Sequence, residues 1–166
     1  MAEPATPEDV VALLMARGLT VATGESITAG LLAGSLATVP GCSAVLRGGI
    51  VAYQADLKVA LLGVDPAIIA HGVVTEPVAR AMAVGAAHAL GADVGVATTG
   101  VAGPDPHDGE PVGSVWIAVA SGADAAAEHL ALSGTRAEIR GAVVAACWSL
   151  TMRFVGGAGQ DAITGE

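Results

Sequence analysis

Along this chain, short apolar runs bounded by glycine and proline alternate with stretches whose apolar residues recur at helical spacing. Thr6-Pro7-Glu8-Asp9 provides a cap residue, a proline at the first helical position and acids in the first turn, ahead of Val10, Val11, Leu13 and Leu14. This predicts a first helix to about Arg17, before Gly18. Leu19 to Thr23 is β-branched and apolar between Gly18 and Gly24, and reads as a strand. After Gly24-Glu25-Ser26 the small and aliphatic residues from Thr28 to Leu36 predict a helix that ends before Pro40-Gly41. Val45 to Tyr53 is a second strand, in which Gly48-Gly49 signals a bulge or a close backbone approach.

Ala55 to Leu62 reads as a short helix, and Asp65-Pro66 opens another turn of helix up to His71-Gly72. Thr75 caps a longer helix from Glu76 to Leu90 that stops at Gly91, with Val78, Ala81, Met82, Gly85, Ala86 and Ala89 as its packing face. Val94 to Thr98 is continuously apolar, as in a strand covered on both faces. Gly100 to Gly113 is a long Gly/Pro/Asp loop, a type that is usually functional or disordered. Val112 to Ala120 and Ala125 to Leu132 form a hairpin around Ser121-Gly122-Ala123-Asp124. Thr135-Arg136-Ala137-Glu138 is a capping box that opens a last helix carrying Ile139, Val143, Ala146, Cys147, Leu150 and Phe154. Strands interleaved with helices, then a hairpin and a final helix, predict a three-layer α/β/α sandwich on a mixed sheet. The expected organisation is one domain over 1–155 and a frayed tail over 156–166.

Composition sharpens this picture. The chain has 166 residues, 53% of them apolar and 14% charged, and its mean hydropathy is +0.65, which suits one folded domain. Only Tyr53, Trp116, Trp148 and Phe154 are aromatic, whereas 23 residues are glycine, so the core has to close by tight backbone approach rather than by ring packing. Seven basic against sixteen acidic residues give a charge of −9, with no Lys/Arg cluster to neutralise phosphates, which argues against nucleic acid as a partner. Cys42 and Cys147 have neither metal nor CxxC spacing and read as small apolar residues. The uncharged run Ile27 to Leu46 is long enough to span a bilayer but is broken by Pro40-Gly41 and several small polar residues, so it reads as a buried helix plus a loop, not a membrane segment. Met1 to Val10 is acidic and lacks the basic start of a signal peptide, which makes the cytoplasm the default location. Long apolar stretches in so small a chain predict leftover apolar surface and hence a homodimer or higher oligomer.

Three segments could carry chemistry. The first, Thr23-Gly24-Glu25-Ser26-Ile27-Thr28-Ala29-Gly30, lies where a strand turns into a helix, where free backbone N–H groups favour an anion or a developing oxyanion. Ser26 and Thr28 can equally be plain helix caps. The second runs from Arg47 to Lys58 and holds the only tyrosine, Tyr53, and the only lysine. A lysine can lose its proton when desolvated and act as a base, which a guanidinium cannot; a solvated, incidental lysine is the competing reading. The third is the loop Thr98 to Asp105, with Asp108 and Glu110 beyond it. Its threonines and glycines suit backbone and hydroxyl contacts to a small ligand, and its acids match no metal-binding spacing. His71, His88, His107 and His129 are scattered and read as structural or exposed, His88 on a helix and His129 in a strand.

TGESITAGLLAGSLATVPGCSAVLRGGIVAYQADLKVALLGV, HGVVTEP, TTGVAGPDP and PVGSVWIAV, in that order, resemble the CinA C-terminal domain family, whose enzymatic members are nicotinamide mononucleotide amidohydrolases. The resemblance implies hydrolysis of the carboxamide of nicotinamide mononucleotide to ammonia and nicotinate mononucleotide, as in pyridine nucleotide salvage, with no metal and no organic cofactor. It places the family's serine and lysine dyad on Ser26 and Lys58 and its tyrosine on Tyr53. On that mechanism Lys58 takes the Ser26 proton, Ser26 attacks to form an acyl-enzyme, and Tyr53 orients the pair or relays the proton. The oxyanion is expected at the N–H groups of Thr28, Ala29 and Gly30. The rest of the substrate is expected at Glu25, Thr99, Gly100 and Gly103, with Arg47 or the Gly100 to Gly103 loop at the phosphate. The sequence departs from the family at Ala29, where glycine is common, at Gln54-Ala55, where Ser-Asn is common, and at His107 to Glu110, where glycines and a lysine are usual. The other class the resemblance allows is a catalytically weak relative that binds a nucleotide or a partner protein in competence or DNA damage. Ser26, Tyr53 and Lys58 present together favour the enzyme.

Overall fold

A computed structural model of the chain describes residues 4–157. Its frame is a five-stranded sheet in the order β2-β1-β3-β4-β5, made of β1 (Val21–Glu25), β2 (Leu46–Val51), β3 (Val94–Gly100), β4 (Ser114–Ser121) and β5 (Asp124–Ala131). β2, β1 and β3 run parallel, and β4 and β5 continue the sheet as an antiparallel hairpin. The helices are α1 (Pro7–Arg17), α2 (Leu31–Ala37), α3 (Ala55–Leu62), α4 (Pro66–Ile69), α5 (Glu76–Leu90) and α6 (Arg136–Gly157), with a 3-10 turn at Cys42–Ala44. α1, α2 and α6 pack together on one face of the sheet, and α3 and α5 on the other. This is the mixed-sheet α/β/α sandwich that the alternation of patterns predicts.

The local signals act as read. Thr6 Oγ1 accepts from Asp9 N–H while Asp9 Oδ2 accepts from Thr6 N–H, a reciprocal cap that starts α1. Gly48-Gly49 does both things expected of it. The β1/β2 register jumps from Val21↔Leu46 to Ala22↔Gly48, which leaves Arg47 as a bulge, and a Cβ on Gly49 would lie 2.5 Å from Thr23 Oγ1.

The two halves of the core differ. Between the sheet and α1, α2 and α6 lie Leu14, Leu32, Leu36, Ile117, Ile139 and the buried Trp148, whose Nε1–H donates to Ser35 Oγ at 2.9 Å. Between the sheet and α5 lie mostly alanines with Val78, Met82 and Leu62. There the backbones touch: a Cβ on Gly95 would strike the Ala83 carbonyl oxygen, and one on Gly85 the Leu62 carbonyl oxygen.

Several boundaries and one face differ from expectation. α2 begins at Leu31 rather than Thr28, because Ala29 (φ +47°) and Gly30 (φ +96°) adopt left-handed conformations that a helix does not admit. β3 continues to Gly100 because Thr99 and Gly100 pair with Trp116 and Val115. The buried face of α5 is Val78, Ala79, Met82, Ala83 and Ala86; Ala89 is exposed. Gly156 and Gly157 belong to α6, and the remainder of the expected tail, 158–166, lies outside the described residues. The uncharged run from Ile27 folds as a turn, α2 and the 3-10 turn, and no helix among the described residues is long and apolar enough to cross a membrane. Burial pushes the Cys147 thiol well above its ordinary value, as befits an inert core residue.

Candidate active site

Ser26 follows the last residue of β1, between its neighbours β2 and β3, at the carboxyl end of three parallel strands. Open α/β sheets bind ligands in the crevice at that edge. Ser26 N–H donates to Thr98 O at 3.0 Å and Ala52 N–H to Glu25 O at 2.8 Å, so both adjacent strands hold the turn. A cleft of about 450 Å³ opens there, with Ser26 and Lys58 at its base.

Lys58 lies on α3 and is 1% exposed. Its Nζ is 2.9 Å from Ser26 Oγ, 2.9 Å from Ala52 O and 3.0 Å from Tyr53 O. No carboxylate among the described residues comes within ion-pair distance of it. Desolvation without a counter-charge lowers its pKa from 10.5 to about 8. As an ammonium, Nζ has one N–H for each of these three oxygens; once neutral it keeps two for the carbonyls and has a lone pair for the Ser26 hydroxyl proton. The solvated-lysine reading is thereby removed, and Ser26, 8% exposed and bonded to Lys58, is more than a helix cap.

Glu25, Ala29, Gly30 and Arg47, all expected to touch substrate, do other work, and so does the side chain of Thr28. Glu25 is fully buried and accepts five hydrogen bonds, from Thr23 Oγ1, Thr28 Oγ1 and the N–H groups of Gly30, Leu32 and Ala33, at 2.7–3.0 Å. It plugs the amino end of α2 from inside. Gly30 N–H is therefore spent on Glu25, and Ala29 N–H on Ser26 O at 3.1 Å. The Thr28 side chain is buried between Glu25 and Thr98. Among the described residues the Ile27 and Thr28 N–H groups have no acceptor. Ile27 lines the cleft beside Ser26, so the free donor nearest the nucleophile is the N–H of the following residue. Arg47 sits on the β2 bulge at the opposite end of the sheet, where its Nε–H donates to Leu90 O. β2 runs from Arg47 at one end of the sheet to Val51 beside Glu25 at the other, so Arg47 cannot reach a substrate at Ser26.

Tyr53 also differs from expectation. Its carbonyl holds Lys58, but its phenol, on a side chain 46% exposed, accepts from Arg136 NH2 at 2.8 Å. Tyr53 orients the lysine through its backbone and has no bond to the dyad through its hydroxyl. In the sequence Arg136 stands out only as part of a capping box, which forms between Thr135 and Glu138. In the structure it also lines the cleft, as Lys58 does, and donates to Gly103 O at 2.6 Å. The signal that could have found it is its place at the start of the helix that follows the hairpin, at the same sheet edge as Ser26.

Thr99, Gly100 and Gly103 line the cleft, with Thr99 Oγ1–H donating to Val73 O at 2.7 Å. Asp105 and His107 line it too, whereas Asp108 accepts from Val73 N–H and Glu110 from Ser114 Oγ. Asp108 and Glu110 thus have separate partners, and the described residues contain no cluster of three or more metal-ligating side chains. His129 has a partner that the sequence did not reveal, Ser114 Oγ at 2.9 Å, and packs on Trp116.

A model of the CinA C-terminal domain matches residues 4–155. The chain belongs to the CinA C-terminal domain family. It is 45% identical over 149 residues to a CinA-like protein of Frankia casuarinae, covering 89% of this chain and 34% of that one. It is 43% identical to a CinA-like protein of Gemmatimonas aurantiaca over 94% of this chain and 38% of that one. The chain thus spans about a third of the length of these curated relatives. Its fold is that of the competence/damage inducible protein CihA from Agrobacterium tumefaciens (TM-score 0.83, 32% identity, 94% of this chain and 99% of that one). It also matches a CinA superfamily protein from Klebsiella pneumoniae (TM-score 0.88, 27% identity, 91% and 96%). Ala29, one of the positions where the sequence was expected to depart from the family, occupies a left-handed conformation (φ +47°) that glycine adopts without strain.

Proposed function

We propose that this CinA-family domain hydrolyses the carboxamide of nicotinamide mononucleotide, yielding nicotinate mononucleotide and ammonia for pyridine nucleotide salvage. The observation that carries the reading is the 2.9 Å contact between Ser26 Oγ and the Nζ of a buried lysine whose other partners are neutral carbonyls. Neutral Lys58 takes the hydroxyl proton as Ser26 Oγ bonds to the carboxamide carbon, and the carbonyl electrons move onto oxygen beside the Ile27 N–H. When the tetrahedral adduct collapses, the nitrogen takes the proton from the Lys58 ammonium and leaves as ammonia. A water molecule then attacks the nicotinoyl ester, giving one proton to Lys58. Ser26 Oγ departs with that proton and the acid is released. At the outer cleft Arg136, not Arg47, offers a cation to the phosphate.

Ammonia release from nicotinamide mononucleotide is the direct test. Because the dyad needs the unprotonated amine, kcat/KM should rise with pH through about 8 and then level. Nucleotide binding without ammonia release would turn the reading to a binding protein. The proposal includes a homodimer, since Leu31, Val51, Leu57 and Leu61 are exposed near the cleft side of β2 and α3. Sedimentation at micromolar concentration should show a species of twice 16.1 kDa, and monomer alone would overturn that part.

A further inference from the structure

The turn that carries Ser26 has three successive peptide units, and each carbonyl in it is held. Ser26 O accepts from Ala29 N–H at 3.1 Å. Ile27 O accepts from Arg140 Nε–H at 3.0 Å and Thr28 O from Arg140 NH2 at 2.8 Å. Thr28 O has a second donor, Leu31 N–H at 3.1 Å. For Ile27 O, Arg140 is the one donor among the described residues. The carbonyl and N–H of a trans peptide point in opposite directions. A guanidinium that fixes Ile27 O therefore also fixes the Thr28 N–H on the same plane, aimed away from α6. That N–H and the Ile27 N–H are the two donors of the turn left without an acceptor.

Arg140 is half-buried, does not line the cleft and meets no carboxylate within ion-pair distance among the described residues. Its two hydrogen bonds both go to the nucleophile turn, across 112 and 113 residues of sequence. A planar fork suits two neighbouring carbonyls in a way that a lysine's single ammonium does not. The geometry points to Arg140 as a positioning residue for acyl transfer: it locks the Ile27–Thr28 peptide plane, and with it the next one, so that the free Thr28 N–H stays in place beside the Ile27 N–H when the oxyanion forms. This rests on the Ser26/Lys58 reading above. Preorganised donors act only if they need no reorientation during the reaction, and small misplacements are costly.

Arg140→Gln and Arg140→Lys test it. Both should lower kcat for ammonia release by about 10- to 100-fold while KM changes less than about threefold, with the pH limb near 8 unmoved because Lys58 keeps its contacts. Adding ethylguanidinium to Arg140→Ala should restore part of the rate. A second readout does not depend on the natural substrate. A fluorophosphonate is attacked by Ser26 Oγ at phosphorus, fluoride leaves, and the serine proton passes to Lys58; its developing oxyanion needs the same donors. Labelling should slow by a similar factor in the variants at a temperature where all are folded. Equal labelling rates and equal kcat, with only the thermal midpoint lowered, would overturn the proposal and leave Arg140 a strut. If the native protein is labelled at Ser26 yet releases no ammonia from the nucleotide, the substrate reading alone fails. If native Ser26 is not labelled, both fail.

Discussion

Lys58→Arg is expected to abolish ammonia release, by about 10⁴-fold or more, as completely as Ser26→Ala. An arginine would keep a positive charge beside Ser26, so a lysine that served only as an electrostatic anchor would tolerate the exchange. A base would not, because a guanidinium stays protonated near neutral pH and has no lone pair to receive the serine proton. The cage around Nζ adds a geometric reason: two carbonyls and one hydroxyl match an amine, whereas the planar fork brings five donors to those three oxygens. Thermal midpoints measured alongside separate lost chemistry from lost fold. Lys58→Met, which removes the charge and keeps an unbranched side chain, should fold and be equally inactive. Turnover retained in Lys58→Arg would show that the proton leaves Ser26 by another route.

Glu25→Gln should have the largest effect on stability of any single-atom change in the domain. All five partners of the carboxylate are donors, three of them backbone N–H groups at the start of α2. A glutamine would keep one acceptor oxygen and turn an NH2 toward groups that also donate. Two or three buried donors would lose their partner, at about 1–3 kcal/mol each. Against a total stability of about 5–15 kcal/mol, a loss of roughly 3–5 kcal/mol is severe. The thermal midpoint should fall by roughly 10 °C, read by circular dichroism. Trp148 fluorescence should shift in the same transition, since its indole is bonded to Ser35 on α2. A midpoint within about 2 °C of the native protein would mean that the turn tolerates the lost acceptor.

The same carboxylate shows where reading the sequence stops. Helices and strands were legible because their signals are local: a capping box at Thr6, a glycine stop at Gly91, a continuous apolar strand after Gly91-Ala92-Asp93. The Ser26/Lys58 pairing was legible through the family resemblance and through the singular lysine, although its 2.9 Å contact depends on folding α3 back over the end of β1. What stayed hidden was direction. Nothing in the letters TGES says which face the glutamate takes and which the serine: the pleat sends successive side chains to opposite faces, and because β1 is buried on both, no alternation of polarity marks them. Ala29 and Gly30 offered plausible donors until the left-handed turn gave those N–H groups internal acceptors. Arg136 and Arg140 lie on α6, more than a hundred residues from Ser26, and only the closing of the sandwich brings them to the cleft and to the turn.

The glycine contacts on the α5 face bear on the dyad itself. Leu62 ends the helix of Lys58, and its carbonyl rests against Gly85 of α5 with no room for a methyl group. Gly24, two residues before Ser26, lies where a Cβ would be 3.0 Å from Met82 O on the same helix and 3.2 Å from Leu62 Cδ1. Nucleophile and base are thus both gauged against one short stretch of α5, on the far side of the sheet from the helix that carries Arg140. The spacing between Ser26 and Lys58 is set from behind, like the gap of a calliper whose hinge lies outside the jaws, and a single methyl at position 85 would change it without touching the cleft.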